Sequence, residues 1–280
     1  ALAPRLNAAG RLADMSLGIE CLIGEDQKDC DRAAVALDDL NRQRREIEAE
    51  MKTQAIDLVN SMALSDGDAL RSGVCLFDED WHQGVVGIIA SRIKERYYRP
   101  VIAFAPADDG QLKGSGRSIP GVHLRDGLDA IATRNPGLLT KFGGHAMAAG
   151  LSLTSEKLDE FSAAFAQEVE RQLDGSGIKP EIMTDGELGQ EDFSLDLATV
   201  LAQAAPWGQS FPEPLFDGRF QILSQRVVGE THVRLQLQPV GDSKSIPAIA
   251  FSAVDAAWAN GPRQIHAAYR LVVNEYRGVR

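Results

Sequence analysis

Cysteine is scarce in this 280-residue chain. Cys21, Cys30 and Cys75 are odd in number, lie far apart and form no CxxC pair. That argues against a disulfide framework and a cysteine zinc site, and it fits a reducing compartment, the cytoplasm. No run of about 20 apolar residues occurs, so the sequence offers no helix that spans a bilayer. The apolar stretch Val85–Ala90 is short and broken by Gly87. Aromatic residues make up 6% of the chain, which leaves few rings to stack on bases once the cores are filled. Basic residues are outnumbered, 29 Lys and Arg against 40 Asp and Glu, for a net charge of −11. That balance by itself speaks against a polyanionic partner. The chain also lacks an initiating methionine, a secretory h-region and any Asp-His-His triplet. It opens inside a Pro-Arg-Leu-Asn phrase and stops at Asn274–Arg280 in what reads as an unfinished strand, so both ends are expected to be cuts in a longer protein.

What is present changes the electrostatic picture. From Arg92 to His145 there are nine basic residues (Arg92, Lys94, Arg96, Arg99, Lys113, Arg117, Arg125, Arg134, Lys141) against five acids (Glu95, Asp108, Asp109, Asp126, Asp129), a local excess of four positive charges. The acidity is concentrated downstream, from Glu156 to Asp196. A locally basic site on an acidic body still attracts a polyanion.

The apolar pattern divides the chain. Residues 1–30 are Gly/Ala-rich and read as the tail of a preceding domain. From 31 to 62, Leu40, Ile47, Met51, Ala55, Leu58 and Met62 recur mostly at three- or four-residue steps with no Gly or Pro between them, which predicts one long connecting helix. Over 63–173 strand and helix signals alternate: strands at Gly73–Phe77 and Pro100–Phe104, helices at Val85–Lys94, Leu124–Ile131 and Leu158–Leu173. That is an α/β domain. An Asp-Gly-Ser-Gly break follows Leu173. Over 180–280 short strand candidates succeed one another: Phe220–Ile222, Gln225–Val228, His232–Gln238, Ala248–Phe251, Ile265–Ala268 and Leu271–Asn274. They predict a small all-β barrel.

Three Gly-rich phrases lie in the α/β domain. Trp81-His82-Gln83-Gly84-Val85-Val86-Gly87 sits between a strand and a helix. It is either an ordinary turn or a phosphate site built on free helix N–H groups with His82 and Gln83 as extra donors. Gly114-Ser115-Gly116-Arg117-Ser118 is either a flexible hairpin loop or a phosphate cradle with hydroxyl donors and a bidentate guanidinium. Phe142-Gly143-Gly144-His145-Ala146-Met147-Ala148-Ala149-Gly150 frees the backbone beside an imidazole, and its small residues suggest a close-packed helix after His145. That histidine either donates to a phosphate or serves the fold. Asp78, Asp80 and His82 have a spacing that admits a metal, but they fall on the strand-to-helix turn and no metal site is expected there.

Together the phrases resemble a known family. Gly143–Gly150 is similar to the signature of the DHH-associated domain, which follows the catalytic domain of DHH phosphoesterases. Pro4-Arg5-Leu6-Asn7-Ala8-Ala9-Gly10-Arg11, Trp81–Gly87 and Ser115–Ser118 narrow the resemblance to RecJ-type single-strand-specific exonucleases. So do Pro206-Trp207-Gly208, Phe211-Pro212-Glu213-Pro214 and Val228-Gly229-Glu230-Thr231-His232. The resemblance implies an α/β DHH-associated domain, with a mixed sheet and flanking helices, followed by an OB-fold barrel. It implies 5′-to-3′ hydrolysis of single-stranded DNA in repair and recombination, with two Mn²⁺ or Mg²⁺ ions held by a DHH domain upstream of Ala1. His82, Gln83, Gly84, Ser115, Gly116, Arg117, Ser118, Gly143, Gly144 and His145 would then bind terminal phosphates, with Arg117 and His145 nearest the scissile one. Arg5, Asn7 and Arg11 would sit at the junction of the two halves. In the barrel Arg226, Arg234 and Arg277 are backbone-contact candidates, while Trp207, Phe211, Phe220, Phe251, Tyr269 and Tyr276 read mainly as core. The expected partners are single-stranded DNA and a single-stranded-DNA-binding protein, the expected state a monomer, and this piece alone is expected to be inactive. A non-cleaving DNA-binding module and a phosphoesterase of short oligonucleotides or cyclic dinucleotides are the rival readings.

Overall fold

The computed structural model describes residues 2–65, 70–174, 177–178, 180–208, 211–254 and 263–275. The chain divides into two compact units, Ala1–Pro180 and Glu181–Arg280.

The first unit begins with helices α1 (Ala3–Leu12) and α2 (Ser16–Ile23), where the Gly/Ala-rich composition had suggested only a domain tail. Pro4 starts α1 at a position where a missing N–H costs nothing. Helix α3 follows as a single element, Gln27–Ser65, 39 residues long. Its buried Met51, Ala55 and Val59 step by four along one face and meet the α/β core.

That core is built on a five-stranded sheet, β1 (Val74–Phe77), β2 (Val101–Pro106), β3 (Gln111–Arg117), β4 (Lys141–Gly144) and β5 (Ala148–Thr154), in the order β1-β2-β3-β5-β4. The pair β1/β2 is parallel and the other pairs are antiparallel. Strand β2 reads Val-Ile-Ala-Phe-Ala-Pro because both of its faces are covered. Helices α5 (Leu124–Arg134) and α6 (Leu158–Leu173) close one face over Ile102, Phe104, Leu151 and Leu153. On the other face α3 and α4 (Val86–Tyr97) pack over Val101, Ala103 and Ala105.

The structure corrects two local expectations here. The small residues after His145 form strand β5, not a helix. Ser115-Gly116-Arg117 lies inside strand β3, not in a loop. Both segments are short of side-chain bulk, so pairing rather than propensity decides them. Gly114 stands where any side chain would run into the Phe104 ring, at 2.5 Å from a Cβ. Its lack of a side chain lets β3 close on β2.

Between α5 and α6 the carboxylate of Glu168, 1% exposed, takes hydrogen bonds from Arg134, Arg171 and the Gln172 amide. Burial alone would raise its pKa, but the three donors outweigh burial and bring it down from 4.5 to about 2.

The second unit starts with helix α7 (Leu195–Gln203), capped by the Ser194 hydroxyl, which accepts from Leu197 N at 3.2 Å. Strands β6 (Phe216–Val228), β7 (His232–Pro239), β8 (Ile246–Ala250) and β9 (Gln264–Tyr269) form one antiparallel sheet, β8-β7-β6-β9. Phe220–Ile222 and Gln225–Val228 prove to be one strand. A bulge at Leu223 bends it, so that its first half pairs with β9 and its later part continues along β7. Phe220, Val233, Leu235 and Leu237 fill the inner face, with Phe193 and Tyr269 packed against it. Leu271–Asn274 joins no strand, and Phe251 falls in the turn after β8. Tyr276 and Arg277 lie outside the described residues.

Candidate nucleic-acid interface

Side chains alternate along β3, so Leu112, Gly114 and Gly116 face the α5/α6 core while Gln111, Lys113, Ser115 and Arg117 share the opposite face. Arg117 bends back along its own strand. Its Nη1 donates to the Ser115 hydroxyl at 3.0 Å and to the Gly116 carbonyl at 2.8 Å. The first turn of α4 presses on the same pair. A Cβ on Gly87 would come within 2.9 Å of both Arg117 Nη2 and Ser115 Oγ. Gly87 thus lets the electropositive end of the helix approach a guanidinium that is already held in place.

Helix α1 reaches this cluster from the other side. Arg11 Nη1 donates to the Gly84 carbonyl at 3.0 Å, and the Gly84 Cα lies so close to the Arg11 carbonyl that no side chain fits between them. Burial first, and the neighbouring Arg11 charge second, lower the Arg117 pKa from its ordinary value. The group stays cationic. No carboxylate pairs with Arg117 or Arg11 among the described residues. A half-buried guanidinium beside a second, exposed positive charge, with no counter-ion among the described residues, is an arrangement that an anion stabilises.

The Gly-Gly-His phrase forms the β4–β5 turn at the Arg117 end of β3, where Arg117 pairs with Ala148. His145 N donates to Ala148 O at 2.8 Å, and the turn is pinned by Ser118 N to Met147 O (3.0 Å) and Leu124 N to Ala146 O (2.9 Å). Gly144 has φ +142 and lies against Ala149, a position a side chain could not share. The His145 imidazole is exposed and bonds to none of the described residues.

The remaining candidates have other local duties. Ser118 is 1% exposed and donates to Val122 O at 2.7 Å, so its hydroxyl serves the fold. Gly116 packs beside Leu124 and Ile102 in the core. His82 Nδ1 accepts from Gly84 N at 3.0 Å, closing the turn, and Gln83 Nε2 donates to Pro106 O at 2.7 Å. Both of these side chains remain exposed beside the cluster. Gly143 faces open space. Arg5 ties α1 to α3 through Asp38 at 2.6 Å, and Asn7 is exposed on α1.

No three His, Cys, Asp or Glu side chains among the described residues converge as a metal site. At the Asp78–His82 turn, Asp78 Oδ1 accepts from Asp80 N at 3.0 Å while His82 Nδ1 is occupied as above. The residues described here do not fit the divalent ions that the resemblance implies.

Sequence reasoning overlooked that the face bearing Ser115 and Arg117 has no acidic residue on β3, β5 or β4. Its positions are Gln111, Lys113, Ser115, Arg117, Ala148, Gly150, Ser152, Thr154, Lys141 and Gly143. The polar alternation Gln-Lys-Ser-Arg on β3 was the available signal, hidden by the intervening glycines.

In the second unit Arg226 and Arg234 stand directly opposite across β6 and β7, both exposed and without an acidic partner among the described residues. Trp207 and Phe211 stack at 4.9 Å between centroids, with Phe211 54% exposed.

Fold and cluster define a DHH-associated α/β domain followed by an OB-type domain. The DHHA1 domain family matches residues 70–171 and the RecJ OB domain family matches residues 184–280. The single-stranded-DNA-specific exonuclease RecJ of Dickeya dadantii is 52% identical over all of this chain and 49% of its own length. That of Escherichia coli K12 is 50% identical over all of this chain and 48% of its own. Among solved structures, RecJ of Thermus thermophilus in complex with Mn²⁺ superposes with a TM-score of 0.73 at 26% identity, covering 99% of this chain and 38% of that one. The chain belongs to the RecJ family, and it spans about half the length of the curated relatives it matches.

Proposed function

We propose that this chain is the phosphate-gripping part of a single-stranded-DNA-specific 5′-to-3′ exonuclease of repair and recombination. The observation that carries the reading is the Arg117–Ser115 pair, pre-positioned by Gly87 of α4, joined by Arg11 and set on a sheet face free of carboxylates in a protein of net charge −11. Arg117 and Ser115 bind the non-bridging oxygens of a phosphate near the 5′ end, and exposed His145 donates from the turn beyond. The guanidinium is already oriented, so little further ordering is needed when DNA binds. The outer face of the OB unit, with Arg226 and Arg234, holds the trailing strand through its phosphates. In this reading two divalent ions, Mn²⁺ or Mg²⁺, are supplied by residues outside the chain and activate the attacking water. The protein works as a cytoplasmic monomer, with a single-stranded-DNA-binding protein as a further partner.

A second reading, a binding module that does not cleave, draws on the lack of a ligand cluster among the described residues. The test is to incubate the chain with 5′-labelled single-stranded and duplex DNA, with Mn²⁺, following binding and cleavage together. Salt-sensitive preference for single strands without cleavage, and restoration of nucleotide release on adding the N-terminal half of a RecJ relative, support the exonuclease reading. Binding without such restoration favours the module. Absence of binding to either DNA overturns both.

A further inference from the structure

Beyond Ser115, the next row of the same sheet face carries two more cations. Strand register sets Lys113 opposite Ser152, and Ser152 opposite Lys141, so a single rung across β3, β5 and β4 reads Lys113–Ser152–Lys141. Both lysines are exposed, and neither has an acidic partner among the described residues. In a chain with 40 acidic residues against 29 basic, two unpaired lysines sharing one face with Arg117 are a local charge feature that a polyanion complements. The approach over β5 and β4 is open. A Cβ on Gly143 would meet no atom within 4 Å, and one on Gly150 only the Gly114 carbonyl at 3.9 Å. The β5–β4 part of this face is thus open, while α4 covers the Ser115–Arg117 end of β3.

We propose that the Lys113–Ser152–Lys141 rung is a second backbone subsite, for the phosphodiester adjacent to the one held by Ser115 and Arg117. The inference rests on the phosphate role assigned to that pair. The two rungs are two residues apart along the strand, about 7 Å, which is more than one phosphate group bridges. The lysine backbones lie two strands apart, about 10 Å, so their side chains flank a phosphodiester set over Ser152, whose hydroxyl points to the same face. Lysine suits this role, because a mobile point charge holds a backbone in passing without fixing its orientation, in contrast to the guanidinium fork next to it. The contact reads no base, so it grips any sequence.

The test is a phosphate walk on this chain. Single-stranded oligonucleotides carry one neutral methylphosphonate in place of each successive phosphate from the 5′ end, and affinities are measured with cleavage blocked by EDTA. The proteins are the unaltered chain, Arg117→Ala, Lys113→Gln/Lys141→Gln, and Lys52→Gln as an exposed control on α3. The expected result is about tenfold weaker binding of the double lysine variant to unmodified DNA, with a log–log salt slope reduced by about 1.4. Its affinity becomes insensitive to the methylphosphonate one step along from the position at which Arg117→Ala is insensitive. Unaltered melting temperatures show that the variants fold. Lysine variants that bind like Lys52→Gln, or that couple to the same phosphate as Arg117, overturn the second subsite and leave the first standing. Loss of position dependence in Arg117→Ala and the lysine variants alike, or no binding by the unaltered chain, overturns both.

Discussion

Arg11 and Gly84 are joined twice, by a side-chain hydrogen bond and by a close backbone contact. The arginine Nη1 donates to the glycine carbonyl at 3.0 Å, while the glycine Cα rests against the arginine's own carbonyl. This contact seats α1 on the turn that starts α4. Gly84→Ala places a methyl group on the Arg11 carbonyl oxygen, and overpacking of that kind costs about 1–3 kcal/mol. A lower melting temperature and weaker binding of single-stranded DNA are expected together, because Arg11 leaves Arg117. An unchanged melting temperature would show that α1 is not seated there.

Arg117 is expected to act through its shape as well as its charge. Arg117→Lys keeps the cation but loses the hydrogen bonds to Ser115 Oγ and Gly116 O. Affinity for single-stranded DNA should fall about tenfold, roughly 1.4 kcal/mol, with the salt dependence preserved. Arg117→Ala should also flatten the log–log salt slope by about 0.7. His145→Ala should weaken binding at an unchanged melting temperature, since its imidazole bonds to none of the described residues. Fluorescence anisotropy across a salt series distinguishes the three.

Glu168 gives the first unit an acid limit. Its folded pKa of about 2 lies below the ordinary 4.5, so its stabilisation is complete above about pH 5 and is lost as pH falls towards 2. The gap corresponds to about 3 kcal/mol at neutral pH. Glu168→Gln should cost less, about 2 kcal/mol, because Arg134 and Arg171 are half-exposed and regain water. Denaturation curves of variant and unaltered chain should converge near pH 2, and a constant difference across pH would contradict the assignment.

In the OB unit the facing Arg226 and Arg234 repel across β6 and β7. Arg234→Glu turns this into a cross-strand ion pair, worth about 0.2–1 kcal/mol. The variant should melt higher and bind single-stranded DNA more weakly. If both properties moved in the same direction, the pair would not be a DNA contact.

The parts of the fold legible in the sequence were those whose apolar pattern is local. Strand β2 is an unbroken apolar run, α6 was placed from Leu158 to Leu173, and α3 was evident from its spacing, though it begins at Gln27. The β3–β5–β4 region was not legible. Gly114, Gly116, Gly143, Gly144 and Gly150 carry no side chains whose alternation could reveal a strand, and their conformation follows from neighbours distant in sequence, such as Phe104 and Ala149. The site divides along the same line. Ser115, Arg117 and Arg11 were named from motifs and meet in space. Ser118 matched the same motif, yet its hydroxyl is turned into the core by Val122, which no spacing rule discloses.

Helix α3 has a mechanical consequence. Its 39 residues contain neither glycine nor proline, and at about 1.5 Å per residue they make a rod of roughly 58 Å. Such a rod offers no glycine or proline at which a sharp kink forms, so it acts as one stiff member. Helices α1 and α2 pack along it and Arg5 bonds to Asp38, so the Arg11–Gly84 contact is carried on the same stiff member.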